Sequence, residues 1–164
     1  MTSIHIAADL LEKIHENGEA AYPEEGAGFL IGADGEEKTV IDILPLPNSR
    51  EDSARHNRYL ISPEDYLKAE LTADELGLSL IGVFHSHPDH PNRPSEFDRE
   101  WAQPFFSYII TNVDQGKAVA SRSWLLKEDR SMFEEEKIEI TDVTARHEAV
   151  PRLTDESQPD EASD

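Results

Sequence analysis

Ile6, Leu10, Leu11 and Ile14 recur at helical spacing, and Gly18 follows as a stop, so residues 7–20 read as an amphipathic helix. Pro23 prevents any continuation. The stretch AGFLIGADGEEKTVIDILPLP then carries two apolar runs around ADGEE, and Asp34-Gly35 is a hairpin turn signal. Antiparallel strands are predicted over 27–32 and 38–45. Residues 46–58 are polar and turn-rich, hence a loop, and Tyr59–Ser62 reads as a short strand. Ser62, Pro63 and the acids Glu64 and Asp65 form an N-cap signature, so a helix should run from 63 to about 76 and stop at Gly77. LSLIGVFHS, residues 78–86, is a compact apolar run and predicts a buried strand. A rigid loop with three prolines spans 87–94, and Ser95 opens another helix that ends near Gln103-Pro104. Strands are predicted over 105–112, 117–128 and 133–141, with a turn at Asp114-Gln115-Gly116. The order implies an α/β domain on a mixed, mostly antiparallel sheet flanked by helices.

Composition narrows the classes. A chain of 164 residues is one domain's worth, and 37% hydrophobic residues permit an ordinary core. The net charge of −20, with no Lys/Arg cluster, argues against a nucleic-acid or anionic-membrane binder. There is no cysteine, which excludes disulfides, Cys-ligated zinc, iron–sulfur clusters and a cysteine nucleophile. No apolar run approaches the ~20 residues of a membrane helix. MTSIHIAADLLEKIHE lacks the basic start and unbroken apolar run of a secretory signal. A soluble cytoplasmic location is expected. The charge is uneven: residues 142–164 end in DESQPDEASD, which cannot bury enough surface to offset its ordering entropy, and read as a disordered acidic tail. The domain therefore covers residues 1–141.

The candidate chemistry lies in FHSHPDHPNRPSEFD, residues 84–98. His85 and His87 are two apart at the end of a strand, so both imidazoles point to the same side. Asp98 follows in the first turn of a helix. Two imidazoles and a carboxylate suit Zn2+, and three protein ligands leave a fourth position for water, as in catalytic zinc sites. Hydrolysis also needs a general base that is not itself a ligand, and Glu24 and Glu25 are the candidates. Ser95, at a helix start between the ligands, can donate to an oxyanion. Each piece has a plain alternative: Ser95 as a cap, Asp98 as a first-turn acid, Glu25 as a loop acid. His90 is a further ligand candidate, disfavoured by the prolines around it.

The joint spacing resembles a known pattern. His85-Ser86-His87-Pro88, six residues, then Ser95-x-x-Asp98 is similar to the H-x-H-P-x6-S-x2-D signature of the JAMM/MPN+ metalloproteases. Glu25, ahead of Ala27-Gly28-Phe29-Leu30-Ile31-Gly32, matches that family's glutamate before its first strand, which selects it over Glu24. The likeness covers roughly residues 3–141. It implies a single MPN/JAMM-type domain, Zn2+ held by His85, His87 and Asp98, Glu25 as general acid/base and Ser95 as oxyanion donor. The implied activity is a peptidase or isopeptidase acting through metal-activated water after the C-terminal Gly-Gly of a ubiquitin-like or sulfur-carrier protein. The substrate would be a cysteine adduct, a fusion or a lysine conjugate. The chain is compact, like short bacterial and archaeal members, which often pair as homodimers. Those members often carry Cys where this chain has Ala27.

Two rivals remain open at this level. One is a non-catalytic MPN-type interaction module binding such tails or a partner subunit, which would have no use for the whole residue set. The other is a different zinc hydrolase such as a deaminase, weakened by the absence of cysteine. A Gly-Gly tail is expected to add along an exposed strand edge. Arg55, His56, Asn57 and Arg58 form a basic patch in an acidic chain and are candidate substrate-binding residues.

Overall fold

Pairing between the predicted hairpin and its neighbours sets the architecture. The computed structural model describes residues 2–47 and 61–142. In chain order it contains β1 (Ser3–Ala7), α1 (Ala8–Ala21), β2 (Ala27–Asp34), β3 (Lys38–Pro45), α2 (Pro63–Glu75) and β4 (Ser79–Pro88). There follow α3 (Glu96–Trp101), β5 (Ser107–Asp114), β6 (Lys117–Leu126) and β7 (Phe133–Thr141). The strand order β1-β3-β2-β4-β5-β6-β7 closes on itself through a parallel β1–β7 pair. The β2–β3, β2–β4, β5–β6 and β6–β7 pairs are antiparallel, while β1–β3 and β4–β5 are parallel. This is the expected mixed, mostly antiparallel sheet with helices. Closure goes further than the sequence reading, but it is partial. β1 pairs with only Lys38–Val40 of β3 and β7 with only Ser123–Leu126 of β6, so residues 41–45 and 117–122 have a strand partner on one side alone among the described residues.

Four local readings change. β1 was not predicted, because Ile6 fits both the helical spacing of Leu10 and Ile14 and the strand alternation Ile4, Ile6. Pairing of Ile6 with Val40 and Ile140 decides for the strand. Gly18 does not end α1; it lies inside the helix, where a Cβ would sit 3.1 Å from both Ser86 Cβ and Val113 Cγ2. Its lack of a side chain lets α1 approach β4 and β5 closely. β4 runs on to Pro88, where a loop was expected from 87, because β5 pairs with it in register as far as Pro88–Val113. Ile61 and Ser62 lie outside any strand, and Ser62 caps α2 in a reciprocal capping box with Asp65. Residues 59–60, the patch Arg55–Arg58 and the tail 143–164 lie outside the described residues.

Alternation along β4 divides the interior. Ile4, Ile6, Leu10, Ile14, Leu30 and Phe84 pack together beneath α1. Phe29, Val83, Ala69, Phe106 and Tyr108 form a second cluster beneath α2. Tyr66 of α2 joins the second cluster with an edge-on contact to Phe29, ring centroids 5.4 Å apart. Full burial of a side chain such as Phe84, which is 1% exposed, contributes about 1.5–3 kcal/mol. One buried acid interrupts β7: Glu136 accepts hydrogen bonds from Ser107 Oγ and Ser123 Oγ, both at 2.8 Å. Lys38 Nζ donates to the same Ser107 Oγ, so polar groups of four strands are satisfied together. No helix among the described residues is long and apolar enough to cross a membrane.

Gly82 sits where β4 is held between β2 and β5, opposite Leu30 and Ser107. A Cβ there would run into the Ser107 carbonyl oxygen. Gly82→Ala is expected to cost ~1–3 kcal/mol by overpacking, seen as a lower denaturant midpoint. An unchanged midpoint would show that β4 and β5 are not held this closely.

Candidate functional site

The parity that sends Phe84 and Ser86 toward the α1 side sends Val83, His85 and His87 to the other. Ser86 lies against Gly18 of α1, and Val83 lies in the α2 cluster. Both imidazoles therefore emerge together at the end of β4, each residue 8% exposed. β2 pairs with β4 up to Ala27–His85. The pairing then continues irregularly, with Ser86 N–H donating to Gly26 O at 3.0 Å and Gly26 N–H to Ser86 Oγ at 2.9 Å. That register sets Glu25 beside His87, and the Glu25 charge acts on the His87 ring.

Asp98 arrives from α3. Ser95 is the N-cap, its Oγ accepting from Asp98 N–H at 3.0 Å, while Ser95 N–H donates to Asp98 Oδ2 at 2.7 Å. This capping box orients the carboxylate as well as starting the helix. At the other end of α3, Arg130 donates to the carbonyls of Arg99, Glu100 and Ala102 at 2.9–3.2 Å. A cation bonded to the last carbonyls stabilises so short a helix. Sequence reasoning missed Arg130, whose partners are all backbone atoms. The result brings His85, His87 and Asp98 together: one ligand atom from each lies within 4.8 Å of the others. His85 Nε2 is 3.7 Å from Asp98 Oδ1, and His87 Nε2 is 3.4 Å from Asp98 Oδ2.

Hydrogen bonding decides what this trio can hold. Pro91 O is only an acceptor, and it lies 2.8 Å from His87 Nδ1, so Nδ1 is the donor. In the neutral ring Nε2 then carries a lone pair directed at the Asp98 carboxylate. Two acceptors facing each other call for a cation between them. Burial pushes the His85 pKa down to about 4, against the pull of Asp98, so that ring is neutral and available as a ligand at neutral pH. Its Nδ1 is buried without a hydrogen-bond partner. Burial also pulls the His87 pKa down. The hydrogen bonds to Asp98 and Pro91 and the charges of Asp98 and Glu25 outweigh that and raise it. Burial would raise the Asp98 pKa, yet His85, His87 and the Ser95 N–H hold it well below the usual carboxylate range. His85 is neutral, and a divalent cation that displaces the proton from His87 would meet two N donors and an ionised carboxylate, a set that suits zinc.

Two cavities flank the trio and share Glu25, Phe97 and Asp98. One, of about 470 Å³, is apolar and lined by Tyr66, Val83, Trp101 and Tyr108 beside His85. The other, of about 600 Å³, is lined by His87, Ser95, His90 and Arg93. Of the residues singled out in the sequence, Glu25, Ser95, His85, His87 and Asp98 thus surround one place. His90 lines the second cavity without joining the ligand-distance group.

A proton and a cation compete for His87. Because its pKa is raised, Zn2+ affinity should begin to fall on acidification at a pH above the ~6.5 of an ordinary histidine. Asp98→Asn alters a candidate ligand and the main group holding the proton on His87. It should weaken binding and move the pH midpoint downward. A zinc titration across pH checks both, and full affinity in Asp98→Asn would exclude Asp98 as a ligand.

Comparison with known proteins agrees with this geometry. The family model for prokaryotic homologs of the JAB domain matches residues 7–127. A probable TtuB-protein conjugate cleaving protease of Thermus thermophilus is 31% identical over 115 residues, covering 70% of this chain and 74% of that protein. A desampylase of Haloferax volcanii is 31% identical over 121 residues, covering 70% of this chain and 85% of that protein. A solved structure from Desulfitobacterium hafniense, 30% identical, superimposes with a TM-score of 0.72 over 85% of this chain and 93% of its own. With a family match over most of its length and a His-x-His strand end facing a helix-borne Asp, the chain belongs to the prokaryotic JAB-domain branch of the JAMM/MPN family.

Proposed function

We propose that this protein is a zinc-dependent isopeptidase that hydrolyses the bond after the C-terminal Gly-Gly of a ubiquitin-like or sulfur-carrier protein. The observation that carries the reading is the set of His85, His87 and Asp98 lone pairs converging beside Glu25, between two cavities that open onto it. Relatives named as a conjugate-cleaving protease and as desampylases support the substrate class.

His85, His87 and Asp98 would hold the cation. When bound, it supplies Lewis acidity toward the scissile carbonyl and toward water. Glu25 is the general base: its carboxylate takes a proton from the attacking water and returns it to the departing amine, so the proton balance closes on one residue. Ser95 keeps its Oγ lone pair on the Asp98 N–H, which leaves its hydroxyl proton to donate to the oxygen of the tetrahedral centre. The apolar cavity beside His85 takes the carrier's tail, whose glycines present only backbone to the trio. The more polar cavity beside His87 takes the leaving side.

The test is cleavage of a ubiquitin-like protein joined through its Gly-Gly terminus to a lysine or a cysteine. Glu25→Gln should lower turnover by roughly 10²–10⁴-fold while zinc content stays at one per chain by mass spectrometry under native conditions. Wild-type turnover in that variant would remove Glu25 as the base. Absence of cleavage by zinc-loaded wild type, together with stable binding of the conjugate, would favour a non-catalytic module.

A further inference from the structure

The residue that fixes the His87 tautomer is a proline, and proline has no N–H with which to anchor itself. Its carbonyl is placed by what holds the residues on either side. On one side, Asp89 adopts a left-handed backbone conformation, φ 57°, and its N–H donates to Val113 O at 2.8 Å. Its carboxylate accepts from Tyr22 Oη at 2.6 Å and from Gln115 N–H at 2.8 Å. On the other side, Asn92 Nδ2 donates to Asn112 Oδ1 and to Ala120 O, both at 3.2 Å. Trp124 Nε1 donates to the Asn92 carbonyl at 3.1 Å. The loop is thereby tied to the end of α1, to β5, to the β5–β6 turn and to β6, none of which carries a ligand.

We propose that Asp89 and Asn92 are positioning residues for the metal centre: they bracket Pro91 so that its carbonyl holds His87 as the Nδ1–H tautomer, keeping the Nε2 lone pair aimed at the site. Without the bracket, Pro91 O moves off Nδ1, and the proton can shift to Nε2, where the Asp98 carboxylate accepts it. A ring protonated at Nε2 cannot ligate from that atom. Carbonyl partners behind ligating histidines act in this way generally. The inference rests on the metal reading of the trio, but not on the identity of the substrate.

The experiment reads the tautomer and the affinity separately. Nitrogen-15 NMR of the full metal-free protein, at a pH where the ring is neutral, should show His87 as Nδ1–H in the wild type. Asp89→Ala and Asn92→Ala should each give a mixture with the Nε2–H form. Competition with a chromophoric chelator should show Zn2+ Kd rising about ten-fold or more in both. Asp89→Asn should restore the wild-type tautomer and most of the affinity, because Asn tolerates the left-handed backbone and offers an acceptor to Gln115 N–H. Tyr22→Phe removes a single hydrogen bond, so it keeps the question open to test if an alanine variant folds poorly; it should move both readouts in the same direction. Unchanged tautomer and Kd in the folded variants would overturn the proposal. So would a tautomer shift that leaves Kd untouched. Failure to cleave any Gly-Gly conjugate would count against the proposed activity and leave these readouts intact.

Discussion

Two imidazole nitrogens and a carboxylate turned toward one another within 4.8 Å form an arrangement that a protein must hold in place. Left alone, lone pairs so close together repel, and the side chains would turn away or trap a proton. Here three independent constraints prevent that. β4 is paired on both sides as far as His85, and Pro91 occupies the back of the His87 ring. The Ser95–Asp98 capping box pins the carboxylate from below. Each constraint acts through backbone groups, whose positions are set by the fold rather than by neighbouring rotamers. Such a site is preorganised for a cation and costs little reorganisation when one arrives.

The site inherits its rigidity from β4. One face of the strand belongs to the core under α1, with Phe84 buried and Ser86 locked to Gly26. The other face begins in the α2 cluster with Val83 and ends in the two histidines. A strand cannot rotate His85 without also rotating Phe84 out of the core, so hydrophobic burial and ligand geometry are coupled by the two-residue period alone. Glu25 gains its place from the same pairing, two residues before β2 begins at Ala27. The cavities on either side differ in polarity because α2 and the end of α3 contribute aromatic rings to one, while the 89–95 loop contributes polar groups to the other.

Much of this was legible in the chain. The Asp34-Gly35 hairpin, the Ser62 and Ser95 caps and the buried apolar run into His85 all rest on local chemistry, and local chemistry is what a sequence displays. What was hidden depends on distant partners. β1 is five residues whose Ile4 and Ile6 suit either period, and only the parallel partners β3 and β7 choose between them. Gly18 looks like a helix stop until Ser86 and Val113 are placed against it. The reach of β4 through Pro88 is decided by β5, and the roles of Pro91 and Arg130 run through carbonyl oxygens, which every residue possesses. Among the candidate site residues, the five in the signature are brought to one place, while Arg55, His56, Asn57 and Arg58 lie outside the described residues.

The central claim is that the converging trio exists to hold one cation. Crystals of the full chain grown with zinc, measured on both sides of the zinc absorption edge, test it directly. The account predicts one strong anomalous peak per chain, about 2.0–2.2 Å from His85 Nε2, His87 Nε2 and an Asp98 oxygen, with a solvent oxygen completing a tetrahedron. No peak there, or a peak that leaves His87 bound through Nδ1, would contradict it.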